Sequence, residues 1–412
     1  MRILHVVHQY PPDYVGGTEL YTQTLARYQV KQGHSVAIVS PSPASGSPSL
    51  DPAVEEGVRV YRLPAGPRSP THVFLSTFRH QAIDGAFQVI LQGEQPDIVH
   101  LQHLMGLPAG LMRHRFPYLV TLHDYWFFCA NAQLLTNYSR QVCDGPRLWI
   151  NCGRCACARA GGPPWAAPAL APTFAYRTAL LKRVLDRARA IIAPTEFVRE
   201  MHHRLGLPRE RVAVIPHGID VPALPPREEQ FASSPLRMAY IGGLTWQKGV
   251  HVLIEAVNGL PSDAVRLSIY GDLGAFPDYV TQLKQAARHP GTSFEGRLPR
   301  TQLWEVLRRI DVLVAPSLWY ETSSLAIQEA FAAGAPVVAS NLGVLADRVR
   351  DGVDGLLFPP GDAPALRTAL LRLIEQPDLL SRLRAAIQPV RTIDQHVLDI
   401  EAVYVSALRP AA

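Results

Sequence analysis

The chain is poor in cysteine: five in 412 residues, all between positions 129 and 157. That excludes a disulfide framework spread over the molecule and suits a reducing compartment. It also lacks long apolar runs, and none approaches the roughly 20 residues that cross a bilayer as a helix. The first residues, MRILHVVHQYPP, hold only a short apolar stretch and read as a β-strand rather than a signal peptide. Strong charge is missing too, with 40 Lys and Arg against 35 Asp and Glu, a net charge of +5. There is no basic stripe interleaved with aromatics and no zinc-finger spacing, which argues against nucleic acid as a partner. These absences point to a cytoplasmic chain. The small positive excess permits an anionic substrate, or peripheral contact with the inner face of the cell membrane, without requiring either.

What is present is apolar material and alternation. Hydrophobic residues make up 47% of the chain, enough for large cores, and the length suits two domains. The 36 prolines gather in SPSPASGSPSLDP, GGPPWAAPALAP and VPALPP, which read as loops. Strand patterns RILHVVH, SVAIVS, VRVYRL, PDIVHLQ, YLVTLHDYW, AIIAP and RVAVIP alternate with helical ones, at about 18–32, with Gly33 as the stop, 73–93 and 173–189. A long irregular stretch is expected at 127–172. After HGIDVPALPPREEQFASSP the alternation resumes with RMAYIG, VRLSIYG, TSFEG, DVLVAPS, APVVAS and GLLF, and a last amphipathic helix spans about 392–409. The expected α/β fold has two doubly wound parallel-sheet domains facing a cleft. The boundaries are 1–215 with a Cys-rich insertion, a hinge linker 216–235, a second domain 236–390, and a terminal helical segment 391–412. Such sheets bind ligands beyond the C-terminal ends of their strands.

One stretch sits at such an end. ETSSLAIQE, residues 321–329, follows the strand DVLVAPS and should open a helix near Ser323 or Ser324 that runs to Gly334. The first turn of a helix offers unpaired N–H groups and a positive dipole end, and small side chains let an anion approach. Glu321 precedes that turn and Glu329 lies inside the helix. Carboxylates only accept hydrogen bonds, so each suits a vicinal diol. A diphosphate between two such carboxylates describes a nucleotide-sugar site; taken alone, the same two glutamates could cap a dipole and face solvent. A second loop, IGGLTWQKG, also follows a strand and opens a helix. Gly242, Gly243 and, at the next strand end, Gly271 allow close backbone approach, and Lys248 supplies positive charge to a diphosphate. In the first half, Gly16 and Gly17 occupy the first strand-to-helix turn, with Glu19 as a first-turn charge. His123 ends a strand in TLHDYW. Asp124 is read as orienting His123 or binding acceptor, and His103 is a further candidate.

The cysteines allow two readings. Cys152 and Cys155 are spaced for one metal, and Cys129 and Cys143 would complete a tetrahedral structural zinc site; otherwise all are free thiols. Trp165 and the basic helix with Arg177, Lys182, Arg183, Arg187 and Arg189 could meet a lipid-linked acceptor, or form a solvated face.

Taken in order, these segments resemble a family 4 glycosyltransferase, a retaining enzyme of the GT-B fold, over nearly the whole chain. ETSSLAIQE is similar to the family's motif of two glutamates seven residues apart, YIGGLTWQKGVHVLIEA to its donor-phosphate loop, and SFEGRLPRTQLWEVLRRIDVLVAPS to its base-binding turn. VIPHGID is similar to its hinge motif, with His217 in place of Asn. The resemblance implies that Glu329 holds the nucleotide ribose and Glu321 the donor sugar. Backbone around Thr322, Ser323, Ser324 and Leu325 would meet the phosphate or sugar, Gly296, Arg297 and Leu298 the base, and His123 the donor sugar. Glu321, Lys248 and His123 are the implied reaction-centre residues. The family places an Arg where this chain has Gly243, so one of two phosphate cations is missing. The resemblance implies no cofactor and no catalytic divalent metal, a glycan or lipid-linked acceptor, and a terminal helix that returns to the first domain. The implied activity is hexosyl transfer in cell-surface polysaccharide assembly. The alternatives are an epimerase or hydrolase of the same fold and a non-catalytic nucleotide-sugar-binding subunit.

Overall fold

The computed structural model describes residues 1–412 except 13, 43–49, 67–68, 114–115, 225–234 and 410–412. Most of the Pro/Ser-rich loop at 40–52 and the second half of the expected linker therefore lie outside the described residues. The chain forms two compact units, residues 1–218 with 392–412, and residues 219–391.

In the first unit eight strands form one sheet. They are β1 (Arg2–Val6), β2 (Ser35–Ser42), β3 (Ala53–Glu55), β4 (Val58–Pro64), β5 (Ile98–Leu101), β6 (Tyr118–Thr121), β7 (Ala190–Ala193) and β8 (Val212–Val214). Their order is β3-β4-β2-β1-β5-β6-β7-β8, and every neighbouring pair is parallel except β3–β4. The central strands are Val/Ile-rich and buried on both faces, as parallel strands covered by helices must be. The short antiparallel β3 was not expected from the sequence, because three residues carry too little pattern. The single helix expected at 73–93 is two, Pro70–Ser76 and Gln81–Glu94. Two start signals explain the break. The Ser69 hydroxyl accepts from the His72 N–H, and the His80 ring accepts from the Ile83 N–H. The stretch expected to be irregular contains a helix at Ile150–Ala160, followed by Ala167–Arg187.

The C-terminal helix, Ile393–Leu408, packs on helix Gly17–Lys31 within this unit. A capping box starts it, Thr392 accepting from the Gln395 N–H while the Gln395 side chain accepts from the Thr392 N–H. Its buried face carries Ile393, Val397 and Ile400, but also His396 and Tyr404.

The second unit has six strands: β9 (Leu236–Ile241), β10 (Val265–Tyr270), β11 (Thr292–Gly296), β12 (Val312–Ala315), β13 (Val337–Ser340) and β14 (Gly355–Phe358). They run β11-β10-β9-β12-β13-β14, all parallel. One face is covered by helices Val250–Asn258 and Ala363–Glu375, whose Leu253, Ile254, Leu366 and Leu370 are fully buried. The other is covered by helices Arg300–Arg309 and Leu325–Ala332 through Leu307 and Ile327. Each such side chain contributes about 1.5–3 kcal/mol by leaving water.

In each sheet the winding reverses once, between β1 and β5 in the first unit and between β9 and β12 in the second. Loops leaving adjacent strands there diverge to opposite faces and open a crevice at the strand ends.

Candidate active site

In the second unit, β9 and β12 are neighbours, so the loops leaving their C-terminal ends, 242–249 and 316–324, lie side by side. Gly249 joins them. It has φ +71°, and a Cβ there would stand 1.9 Å from the Pro316 carbonyl oxygen, so only glycine fits. The Leu318 N–H donates to the Gln247 carbonyl across the same seam, 2.7 Å.

This contact brings Lys248 to Glu321. The Glu321 Oε1 accepts from Lys248 Nζ at 2.7 Å, Ser317 Oγ at 2.7 Å and Trp319 Nε1 at 2.9 Å. The Lys248 ammonium also lies 5.3 Å from the centre of the Trp319 ring. A buried carboxylate held by three donors is fixed in position. The sequence singled out Glu321 and Lys248 but not Ser317 or Trp319, although their spacing of four and two residues from Glu321 was available.

Helix Leu325–Ala332 begins one to two residues later than expected. Ser324, just before it, has φ +52°, a left-handed conformation that costs a residue with a side chain about 1–3 kcal/mol. Strain of this kind concentrates where a backbone must meet a ligand. Ser323 is buried, its hydroxyl accepting from the Gln328 side chain at 3.3 Å, while Thr322 is half-buried. The Leu325 N–H belongs to the first turn and has no partner inside the helix.

Glu329 is buried and accepts from Arg300 Nη1 at 2.6 Å. Burial raises its pKa, and Arg300 pulls it part of the way back. Arg300, the first residue of helix Arg300–Arg309, was not picked out from the sequence. Gly296 has φ +78°, and the following Arg297 is exposed and ion-paired with Asp272 at 2.6 Å. Leu298 packs on the helix-covered core. In the phosphate loop, a Cβ on Gly242 would come within 2.9 Å of Tyr240 Oη, and one on Gly271 within 2.5 Å of the Gly242 carbonyl oxygen. A Cβ on Gly243 would meet nothing within 4 Å.

In the first unit, β1, β5 and β6 are adjacent, and their ends deliver His8, Gln102, His103, His123 and Asp124. His123 Nε2 donates to Gln102 Oε1, 2.7 Å. Burial holds the His123 pKa well below the usual imidazole range, with His103 and His396 adding to the effect, so the ring is neutral. Asp124 does not orient His123. Its Oδ2 accepts from His103 Nε2 at 2.7 Å and its Oδ1 from the Trp126 N–H at 2.8 Å, while His103 Nδ1 accepts from the Met105 N–H. The His103 ring lies 4.1 Å from that of His8, whose Nε2 is 3.3 Å from Glu19 Oε1. Glu19 is therefore a buried partner of His8 rather than a surface helix-start charge. Gly16 leads into this helix with extended backbone, and a Cβ there would come within 2.6 Å of Glu19 Oε2; one on Gly17 would meet nothing within 4 Å.

The zinc site expected from Cys129, Cys143, Cys152 and Cys155 is not formed. Among the described residues, no three His, Cys, Asp or Glu side chains are grouped to hold a metal ion. All five cysteines are free. Burial raises the pKa of Cys129, and pushes that of Cys152 to about 12 and that of Cys155 to about 11. The Cys143 thiol donates to the Gly145 carbonyl. The lobe is held instead by packing: a Cβ on Gly153 would stand 2.3 Å from the Ala167 carbonyl oxygen, which marks how closely helices Ile150–Ala160 and Ala167–Arg187 approach. Arg177, expected on a solvated or acceptor-facing basic face, is buried. Its guanidinium lies over the Trp126 ring at 4.1 Å and donates to the Trp126 carbonyl at 2.8 Å. Trp165 is exposed. No described helix is long and apolar enough to cross a membrane.

Comparison with known proteins agrees with this geometry. Residues 15–222 match the family profile "Glycosyltransferase Family 4", and residues 235–376 match "Glycosyl transferases group 1". The chain is 30% identical to a glycogen synthase of Mycobacterium tuberculosis, over 96% of this chain and 91% of that one. It is 26% identical to a D-inositol 3-phosphate glycosyltransferase of Xylanimonas cellulosilytica, over 90% and 86%. Among solved structures it is similar to sucrose-phosphate synthase from Thermosynechococcus elongatus, with a TM-score of 0.72 and 21% identity over 98% of both chains. It is also similar to Anabaena HepE in complex with UDP and glucose, with a TM-score of 0.67 and 19% identity over 98% and 100%. The two parallel sheets, the loops at their reversal points and these matches make the chain a glycosyltransferase of family 4, with the GT-B fold.

Proposed function

We propose that the enzyme transfers a sugar, with retention of anomeric configuration, from a nucleotide-sugar donor to a glycan or glycolipid acceptor in cell-surface polysaccharide assembly. The observation that carries this reading is the Glu321 carboxylate held by Lys248, Ser317 and Trp319 beside a strained helix start, with Glu329 buried inside that helix. Glu321 meets donor-sugar hydroxyls, and Lys248 faces the diphosphate. The N–H groups after Ser324 take the distal phosphate. Glu329, steadied by Arg300, accepts from the ribose hydroxyls, and the turn at Gly296–Leu298 borders the base.

In a front-face route to retention, the acceptor attacks from the side the leaving group departs. The bond from the anomeric carbon to the phosphate oxygen breaks as the bond to the acceptor oxygen forms. The acceptor proton passes to the departing phosphate oxygen. No protein nucleophile is required. The chain supplies orientation and stabilisation of the charge that grows on the phosphate.

A second reading is a nucleotide-sugar-binding subunit without turnover. It is motivated by Gly243, where the family's second phosphate cation is absent although there is room for a side chain. One experiment separates the two. The purified chain is screened by thermal shift against UDP-, GDP-, ADP- and dTDP-sugars, with Glu329→Ala and Lys248→Ala alongside. UDP-glucose goes first, because HepE was solved with UDP and glucose. One nucleotide class should raise the melting temperature of the parent and of neither variant. Product from a glycan acceptor should keep the anomeric configuration of the donor by NMR. An inverted product would overturn the retaining mechanism, and binding without any turnover would favour the subunit.

A further inference from the structure

The helix Ala167–Arg187 carries exposed charge in one half only. Between Ala160 and Leu181 the chain holds a single charged residue, Arg177, and that one is buried. Trp165, in the turn Pro164–Ala166 before the helix, is 82% exposed, and Tyr176 on the helix is 59% exposed. Ala169, Pro172, Tyr176 and Ala179 recur at steps of three and four residues and are all exposed, so they form one outward stripe. Neighbouring segments add to it. Trp149 Nε1–H donates to Thr178 Oγ1 at 3.1 Å, which sets Leu148, 78% exposed, beside the middle of the helix. The Tyr176 ring stacks on Phe78 with centroids 5.8 Å apart, and Phe74 packs on Phe174 at 5.0 Å. Those contacts bring up helix Pro70–Ser76 with Leu75, 56% exposed. A surface helix normally turns polar groups to water, whereas here exposed apolar side chains from three segments lie together.

The same stripe ends in positive charge. Arg183 and Arg187 continue the three- and four-residue steps, and Lys182 and Arg189 flank them, all exposed. None of the four has a carboxylate partner among the described residues, whereas the exposed Arg2, Arg204 and Arg209 of the same unit each have one. The one acid in this run, Asp186, lies 3.7 Å from Arg211. The helix is about 30 Å long, so a single partner meets both halves only by lying along it. That partner must be broad, able to take up Trp and Tyr rings, and anionic. A second copy of the chain does not fit, because a symmetric contact through this stripe would bring two sets of unpaired cations into one interface. An anionic bilayer surface fits on each count. Indole and phenol rings settle at headgroup level, and Lys and Arg draw on lipid phosphates.

We propose that the outward stripe of helix Ala167–Arg187, with Trp165 at its head and the four cations at its foot, docks the enzyme flat on a bilayer containing anionic phospholipid. Trp165 enters the boundary between headgroups and acyl chains, and Lys182, Arg183, Arg187 and Arg189 face lipid phosphates. The helix also has a fixed direction against the sheet. Its Val184 carbonyl accepts from the Tyr118 hydroxyl at the start of β6, and its Arg177 reaches the Trp126 carbonyl beyond the end of β6. The apolar half is therefore the half nearer the strand ends, and docking sets the crevice of this unit beside the membrane. The docking surface stands on this face alone and does not depend on how the donor is held.

The test is co-sedimentation of the full chain with large vesicles of phosphatidylcholine, alone or mixed with phosphatidylglycerol. The chain should pellet with the mixed vesicles, stay in the supernatant with phosphatidylcholine alone, and be released as salt is raised. Lys182→Gln and Arg183→Gln should each weaken binding about fivefold, and Trp165→Ala roughly tenfold. All three side chains are exposed, so the melting temperature of each variant should stay at the parent value. Vesicles with brominated acyl chains should quench the tryptophan fluorescence of the parent more than that of Trp165→Phe, which keeps a ring on the surface. No binding to the mixed vesicles, equal binding to both compositions, parent affinity in all three variants, or equal quenching of parent and Trp165→Phe would overturn the proposal. So would a dimer in sedimentation velocity that Trp165→Ala dissolves while vesicles bind neither form, which would make the face a contact between copies.

Discussion

The two units share an all-but-parallel sheet and a crevice at the winding reversal, yet they satisfy their buried polar groups with different emphasis. The first unit relies mainly on neutral groups, imidazoles, carboxamides and hydroxyls joined by hydrogen bonds, with the buried Arg177 and the His8–Glu19 and His103–Asp124 pairs beside them. The second uses ion pairs: Lys248 with Glu321, Arg300 with Glu329, and Arg237 and Arg384 on the fully buried Asp311. Neutral networks specify which atom donates and which accepts, whereas ion pairs hold charged groups against one another. The units should therefore fail under different stresses, and that contrast can be broken experimentally.

The largest expected difference is in acid. His5, His100, His123 and His202 all have pKa values lowered by burial. Such a group binds its proton more weakly folded than unfolded, so its stability is complete above the unfolded value near 6.5 and is lost as pH falls towards the folded value. His5, lowered to about 4, accounts for about 3 kcal/mol of this by itself. Asp311 behaves otherwise: burial alone would raise it, but the Arg237 bonds prevail and its pKa is lowered, so its contribution is lost only in stronger acid. Hydrogen exchange read by mass spectrometry between pH 7 and pH 4.5 should show β1, β5 and β6 losing protection before β9, β12 and β13. Equal loss in both units would break the comparison.

Next in size is Asp311→Ala, which leaves Arg237 and Arg384 without their buried counter-charge. It should cost about 3–5 kcal/mol in urea unfolding, as breaking a buried pair does. A cost under about 1 kcal/mol would show that the second unit does not depend on its charges.

A smaller effect is expected within the phosphate loop. Gly249→Ala meets both a positive φ and the Pro316 carbonyl, and should lose about 1–3 kcal/mol. Gly243→Ala meets open space and should stay within about 0.5 kcal/mol of the parent in the same assay.

The smallest stability change belongs to Glu329→Gln. Because burial raises the pKa of Glu329, its ionised form is disfavoured in the fold, and a neutral amide removes that cost. At pH 8 the melting temperature should stay within about 2 °C of the parent or rise, and any gain should shrink as pH falls through the carboxylate range. The shift produced by nucleotide sugar should nevertheless disappear. A variant that keeps that shift would remove Glu329 from the site.

Strands were the most legible elements. Runs such as VLVA and VVAS are apolar on both faces, and only a covered parallel sheet accommodates them. The helix at Ile150–Ala160 was hidden because INCGRCACARA is rich in residues of low helix propensity, and it holds through packing on the next helix. Arg177 read as surface charge because a sequence cannot show that Trp126 offers it a ring and a carbonyl. The zinc expectation failed for a related reason. Spacing along the chain shows which thiols could converge, but among the described residues the fold gathers them into no metal-holding set.

By itself the sequence determined the alternation of strands and helices, and hence the parallel sheets. It also determined the two loops at strand ends that carry Lys248 and Glu321, and the helix that carries Glu329. These depend on periodicity and on motifs a few residues long, where neighbours in sequence are neighbours in space. Only the tertiary structure decided the partners: Arg300 for Glu329, Trp319 and Ser317 for Glu321, His103 rather than His123 for Asp124. It alone decided the buried hydrogen-bond network, which joins side chains at 5, 29, 100, 102, 121, 123 and 404. A hydrogen bond is specific to within a few tenths of an ångström, and no local pattern encodes which distant side chains the packing of a helix will bring that close.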